Sequence, residues 1–436
     1  MQSWLKLSVT TVRSAGVDSV SRARFGLLTG VLLPPIVFVI AVICSVALFA
    51  YSAGAQYTAT NLVSNTKLYK PLKLDPNLIN GWGLVALPGS PWWLSAQNTS
   101  TAPLFSANGS VDPLLVDIPC VKNNSGTIAV PCPFPAEGFI FEPNNPTNPK
   151  GSTGIGPFGL FGPTGIVANT FSSAFEVSGA PALFIFATQD GLIVAWNASV
   201  SPFNQGVVVR NRFSARAAPL YQGLAIAGPA TSPHLYATDL TTVPPTVDVF
   251  DKNFALVSTF VPEPNLATTN PKFEPAGPYG IQAIGAKLYI TYFSIKVIGG
   301  ILDVCDLSTS TTKPPCRRLF ASNLSGTENA PILATPWGIA LAPSDFGPLS
   351  NKLLVGNVAD GLINAFDPTT GQVVDTLNLT NGSRFSVPGL WGLQFGHGSS
   401  ANGPTNNLFF SSGPSPVSVT DPVHQYGAGL FGVITP

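Results

Sequence analysis

One recurring triplet governs what this chain can fold into. An aromatic or polar residue, then glycine, then an aliphatic appears six times: Trp82-Gly83-Leu84, Thr164-Gly165-Ile166, Gln222-Gly223-Leu224, Tyr279-Gly280-Ile281, Trp337-Gly338-Ile339 and Trp391-Gly392-Leu393. The glycine-to-glycine steps are 82, 58, 57, 58 and 54 residues. Five copies are followed by a second apolar run and then a third that ends in Asn, Asp or a near equivalent. In the fifth copy these are Leu353-Leu354-Val355 and Ile363-Asn364-Ala365-Phe366-Asp367, and Val373 to Leu377 supplies a fourth run after a Thr-Thr-Gly turn. The sixth copy has Leu408-Phe409-Phe410 and then Gly429 to Ile434. Each copy reads as a four-stranded antiparallel unit. A fixed period of this length, made of strands and turns, points to sheets stacked radially. A single such sheet cannot bury both faces alone. Six copies predict an all-β fold, a six-bladed β-propeller. A glycine suits an innermost strand, where there is room for little side chain. Evenly spaced strands would also fit a β-sandwich with coincidental glycine spacing.

The last copy runs out of chain after its third strand, at Val433-Ile434-Thr435-Pro436. Tyr57 to Val63 is strand-like and has no unit of its own. It is predicted to supply the outer strand of the last blade and so close the ring by covering an unpaired edge.

Ahead of that strand, residues 1–24 carry Lys6, Arg13, Arg22 and Arg24 against Asp18, and Phe25 to Ala53 is uncharged. The run ends in Ala53-Gly54-Ala55-Gln56. A basic start, an apolar core and a small-residue site read as a secretory signal cleaved after Ala55. The run is also long enough to span a bilayer, so an uncleaved signal-anchor helix is the alternative, with the propeller outside. The chain thus divides into residues 1–55, signal peptide or anchor, and 56–436, the propeller. Within the propeller, residues 119–162 form an inserted Pro/Asn/Gly-rich loop that accounts for the one long step.

Cysteines and sequons agree with export. Cys44 lies in the apolar run, and the other four form two local pairs, Cys120 with Cys132 and Cys305 with Cys316. An even count in a secreted chain predicts two disulfides. N-x-S/T sequons occur at Asn98, Asn108, Asn123, Asn197, Asn323, Asn378 and Asn381. With charged residues at 10% and a net charge of zero, the chain lacks the basic face that nucleic acid requires. A membrane would be met only through the N-terminal segment, and the propeller itself reads as a monomer.

In a propeller, the start of the innermost strand and the loop between the second and third strands lie on one face. Two residue sets converge there. The first is Asn80, Trp82, Gln222, Tyr279, Trp337 and Trp391, read as binding residues. The second is Gln97, Thr188, Gln189, Asp190, Asp239, Tyr292, Asn357 and Asp360. Asp239 and Asn357 could approach a common axial point as oxygen ligands for calcium, although no cofactor is required by the sequence. Asp190-Gly191 and Asp360-Gly361 also read as plain hairpin turns. The tryptophans read either as an open platform for a sugar or as wedges between blades. No G-x-S-x-G elbow is present. His397, in Gly396-His397-Gly398, is the one histidine to test as a base.

Pro336 to Ala340, Leu353 to Val355 and Gly361 to Asp367 together resemble the NHL repeat. Thr60 to Ser64, Asp75 to Leu84, Pro88 to Trp93 and Phe184 to Asn197 resemble an uncharacterised secreted six-bladed β-propeller family, known mainly from bacteria with PEP-CTERM surface sorting. The resemblance covers nearly all of the chain after residue 56. It implies a secreted propeller and transfers no catalytic residues. This chain ends at Pro436 without a PEP-CTERM tail and has paired cysteines and sequons. Two functional expectations follow: a non-enzymatic binding module for a glycan or protein at the cell surface or wall, or a calcium-dependent hydrolase or lactonase of the six-bladed type.

Overall fold

The computed structural model describes residues 57–121, 126–132, 162–213, 219–242, 244–262, 275–294, 296–323, 325, 327–414 and 428–436. The expected signal or anchor segment, Cys44, the sequon at Asn123, His424 and most of the 119–162 insertion lie outside these residues. Among the described residues there is no α-helix, and no helix is long and apolar enough to cross a membrane.

Six antiparallel blades follow one another along the chain. Their four strands, from inside out, begin with Gly81–Val85, Trp92–Ala96, Thr101–Phe105 and Val111–Asp117 in blade one. Blade two has Pro163–Ala168, Phe184–Thr188, Leu192–Trp196 and Val207–Asn211. Blade three has Tyr221–Ala227, His234–Asp239, Thr246–Phe250 and Leu256–Phe260, and blade four Pro275–Ile284, Lys287–Ser294, Gly300–Asp306 and Cys316–Ser322. Blade five has Pro336–Leu341, Leu353–Asn357, Ile363–Phe366 and Val373–Thr376. In blade six Leu390–Phe395, Leu408–Ser412 and Leu430–Thr435 come from the end of the chain, and the outer strand is Thr58–Ser64, paired from Thr58↔Thr435 to Ser64↔Leu430. The ring therefore closes as the sequence predicts.

Tyr57 locks that closure. Its hydroxyl donates to the Phe346 carbonyl at 2.7 Å and accepts from Leu349 N–H at 2.9 Å, and its ring lies 4.6 Å from that of Phe346. Burial pushes the phenol up to about 12. The outer strand of blade six is thereby fastened to blade five as well.

The apolar core is divided between neighbouring blades. One cluster joins blades six and one through Phe431, Trp92 and Phe105; another joins five and six through Leu354, Ile363 and Phe410. Burying faces pairwise is what lets so long a chain remain one fold, since each blade adds its own interface.

The repeated triplet produces the same defect in every blade. Pairing of the first two strands steps from Gly81↔Ala96 to Leu84↔Leu94, from Tyr221↔Asp239 to Leu224↔Ala237 and from Leu390↔Ser412 to Leu393↔Phe410, with equivalent steps in the other three. Two residues of the inner strand thus face one of its neighbour, which is a β-bulge. The two are the aromatic or polar residue and its glycine. A Cβ on Gly83 would stand 2.7 Å from the Thr164 carbonyl of blade two, and one on Gly223 would stand 2.7 Å from the Tyr279 carbonyl of blade four. The glycine is needed for the close approach of the next blade's inner strand, more than for the width of the channel.

Both expected disulfides are present. Cys120–Cys132 closes a small hairpin of Cys120–Val121 with Ile128–Ala129, and Cys305–Cys316 joins directly opposed residues in the outer two strands of blade four. The sequons differ among themselves. Asn108 and Asn381 are exposed. Asn197 and Asn323 are buried, and their amide groups donate to the carbonyls of Val177 and Ile298 respectively.

Candidate functional site

The bulge aims its first residue at the axis, and four of the six are aromatic. Trp82 and Trp391, from blades one and six, stack with ring centroids 3.7 Å apart and planes 14° apart. Trp337 meets both edge-on, at 6.1 and 5.9 Å. Tyr279 of blade four lies 6.2 Å from Trp82 and 5.8 Å from Trp391. Blades one and four face each other across the ring, so rings from both can touch only on the axis. All four are at most 9% exposed. They are neither an open platform nor wedges between blades; they fill the mouth of the channel. Edge-to-face pairs of this kind are favourable beyond the area they bury.

A chain of carboxamides continues around the other side of the mouth. Trp391 Nε1 donates to Asn80 Oδ1 at 3.3 Å, and Asn80 Nδ2 to Gln97 Oε1 at 2.8 Å. Gln97 Nε2 donates to Gln189 Oε1 at 2.8 Å, and Gln189 Nε2 to Gln222 Oε1 at 3.4 Å. The relay links blades six, one, two and three with no net charge. Gln97, Gln189 and Gln222 are buried, and such a network fixes its members when each amide has a partner. The indole N–H groups of Trp82 and Trp337 have no hydrogen-bond partner. Beneath the rings, the aliphatics of the triplets (Leu84, Ile166, Leu224, Ile281, Ile339 and Leu393) surround a cavity of about 30 Å³. That is room for a water or two and no more.

Opposite each bulge stands one small residue: Ser95, Ala187, Thr238, Thr291, Gly356 or Ser411. Three of them accept the N–H that the bulge frees from the ladder. Thr238 Oγ1 accepts from Gly223 at 2.8 Å, Thr291 Oγ1 from Gly280 at 3.0 Å and Ser411 Oγ from Gly392 at 2.9 Å. The Thr238 hydroxyl then donates to the Tyr279 carbonyl of the next blade at 2.8 Å, and that of Ser411 donates to the Trp82 carbonyl. Sequence reading missed this set, although its signal, a small residue just before the end of every second run, is visible there.

The acidic positions are committed to turns. Asp239 Oδ1 accepts from Leu220 N–H, Thr241 N–H and the Thr241 hydroxyl at 3.1, 2.8 and 2.7 Å. Asn357 Nδ2 holds the Ile332 carbonyl at 2.9 Å, while its Oδ1 is buried without a partner. Asp360 caps Leu362 N–H at 3.0 Å. Asp190 does more than make a turn: it accepts from the Thr188 hydroxyl and, at 2.5 Å, from Val121 N–H, so it anchors the Cys120–Cys132 hairpin onto blade two. Burial raises the carboxyls of Asp190, Asp239 and Asp360 and drives the Tyr279 phenol far above its ordinary range. Among the described residues no three His, Cys, Asp or Glu side chains form a group that could hold a metal. His397 is at the other end of blade six, in the turn after the inner strand, with Nε2 3.3 Å from Gln394 Nε2 and its ring held below its usual range by burial.

No family model matches the chain. It is similar to two proteins of Acanthamoeba polyphaga mimivirus, each named only as uncharacterized. One is 30% identical over 254 residues, which cover 55% of this chain and 44% of that one. The other is 26% identical over 340 residues, covering 76% and 72%. The match thus spans less than half the length of the first. Among solved structures, the calcium-binding protein regucalcin from Agrobacterium tumefaciens is 11% identical, with a TM-score of 0.44 over 82% of this chain and 91% of that one. Virginiamycin B lyase from Staphylococcus aureus is 11% identical, with a TM-score of 0.40 over 87% and 99%. Likeness at this level carries no argument about function.

Proposed function

We propose that the chain is a non-enzymatic binding module of the cell exterior, a monomer that takes a neutral glycan or a protein on the face where the innermost strands begin. The supporting observation is the closed, uncharged channel mouth. Four aromatic rings occupy the axis, and Asn80, Gln97, Gln189 and Gln222 form a fixed carboxamide chain beside them. A fixed set of amide donors and acceptors beside indole suits hydroxyl-rich or peptide ligands. The resemblance to the secreted family of PEP-CTERM-sorting bacteria belongs to this reading, as does export by the N-terminal segment.

A second reading, a calcium-dependent hydrolase or lactonase with the ion near Asp239 and Asn357, draws on one observation: Asn357 Oδ1 is a buried oxygen with no hydrogen-bond partner. Against it, indole rings fill the axial point the two would have to share, and Asp239 Oδ1 already accepts three hydrogen bonds.

A glycan array probed with residues 57–436, wild type and Asn80→Ala, tests the first reading. Binding that the substitution abolishes supports it. A blank array, together with a calcium-dependent rise in the unfolding midpoint that Asp239→Asn removes, would replace it with the second.

A further inference from the structure

Eleven large apolar side chains are exposed among the described residues, and three of them fall within seven positions: Leu68 at 60%, Leu72 at 60% and Leu74 at 47%. Lysines are interleaved with them at 67, 70 and 73, all exposed, and no acidic residue lies between Lys67 and Leu74. The strip sits on the outer edge of blade six, where Lys73–Leu74 pairs in parallel with the closing strand Thr58–Ser64. Its backbone is held in place. Leu72 N–H donates to the Asn61 carbonyl at 3.1 Å, Asn61 Nδ2 to the Tyr69 carbonyl at 2.8 Å, Lys70 N–H to the Lys67 carbonyl at 2.9 Å, and Asp75 N–H to the Ser64 carbonyl at 3.0 Å. Rigid backbone that keeps three leucines in water marks an interaction surface more than a loose loop.

The geometry points to this strip as a docking edge for an anionic lipid surface. Leucines that enter the acyl boundary while lysines reach the headgroups are the two components of interfacial attachment. Chain position favours a bilayer over other polyanions. Residues 1–56 lie outside the described structure and join it at Tyr57, and the uncharged run Phe25 to Ala53 ends thirteen residues before Lys67 (54–66). Only the closing strand Thr58–Ser64 and its short turn separate that run from the strip along the chain, so the strip is tethered close to whatever leaflet the run meets. Even with the run removed, the strip retains both components.

Vesicle co-sedimentation of residues 57–436 tests this. The domain is to bind vesicles of equimolar phosphatidylcholine and phosphatidylserine well above phosphatidylcholine alone, and to lose binding as salt is raised. Replacing Lys67, Lys70 and Lys73 by Gln lowers the partition constant about a hundredfold, at about fivefold per lysine near an anionic surface. Leu68→Ser, Leu72→Ser and Leu74→Ser together abolish binding. All six positions are exposed, so unfolding midpoints are to stay at the wild-type value, and the salt series repeats the charge test without any substitution. Binding unchanged in either triple variant, equal binding to neutral vesicles, or capture by heparin but not by vesicles overturns the assignment.

Discussion

The ring centroids of Trp82 and Tyr279 lie 6.2 Å apart although their blades stand on opposite sides of the molecule. A pair that spans the whole ring ties the stability of distant blades together. It also removes the open channel that would otherwise admit a ligand along the axis.

Trp82→Ala is therefore expected to cost about 3–5 kcal/mol, the usual range for an aromatic deleted from a packed site. Trp82 stacks on Trp391 and touches Tyr279 and Trp337, so three rings lose a partner at once. Urea unfolding of residues 57–436 measures it. A loss below about 1 kcal/mol would mean that the rings are held by their own blades and not by each other.

The hydroxyls opposite the bulges give a narrower test. Thr238→Val keeps the shape of the side chain but strands the Gly223 N–H and the Tyr279 carbonyl, both of which Thr238 Oγ1 now satisfies. The expected cost is about 1–3 kcal/mol, with faster hydrogen exchange at Gly223. Unchanged exchange there would show that burial, and not the Thr238 hydroxyl, protects the Gly223 N–H.

How far this was legible in the sequence follows from which contacts repeat. The triplet glycines carried the blade number and the ring order, because a fixed spacing reports a fixed stacking, and the closure was readable from a last copy one strand short beside a spare strand-like run, Tyr57 to Val63. The convergence of Asn80, Gln97, Gln189 and Gln222 on one face was also readable from where strands begin and end. That Trp82, Tyr279, Trp337 and Trp391 meet on the axis was not, because a triplet says nothing of how far a side chain reaches across a ring. The role of Asp190 was hidden for a similar reason: its partner Val121 is 69 residues away in sequence, and D-G reads locally as a turn.

Stability should depend on pH through the buried carboxyls. Burial raises Asp190, Asp239 and Asp360 above the ordinary 3.8, so the folded chain binds their protons more tightly than the unfolded chain does. Stability is then greatest with these groups protonated. It falls as pH rises above 3.8, and stops falling once the raised folded values are passed. Asp306 and Asp367, held low by turn hydrogen bonds, lose their contribution below 3.8 and leave that window unaffected. The lowered rings of His234 and His397 act the other way, adding stability as pH rises to their ordinary 6.5, so the carboxyl contribution is read as a difference: thermal midpoints from about pH 4 to neutrality should lose less in Asp190→Asn than in the wild type. A difference between the two midpoints that stays the same at every pH would contradict the assignment.

Ring closure makes the sharpest demand on the chain. Without residues 57–64, Leu430–Thr435 loses the strand that covers it from Leu430 to Thr435, and blade six ends in an open edge beside the core formed by Leu408, Phe410 and Ile434. An exposed apolar edge strand is a template for pairing between molecules. A chain starting at Asn65 is accordingly expected to aggregate, judged by size-exclusion profile and by loss of a cooperative melt. Tyr57→Phe removes only the lock: it leaves the Phe346 carbonyl and Leu349 N–H unpaired and should cost about 1–3 kcal/mol while the chain stays monomeric. A soluble, cooperatively melting truncation would show that three strands suffice for blade six and that the first strand only decorates the ring.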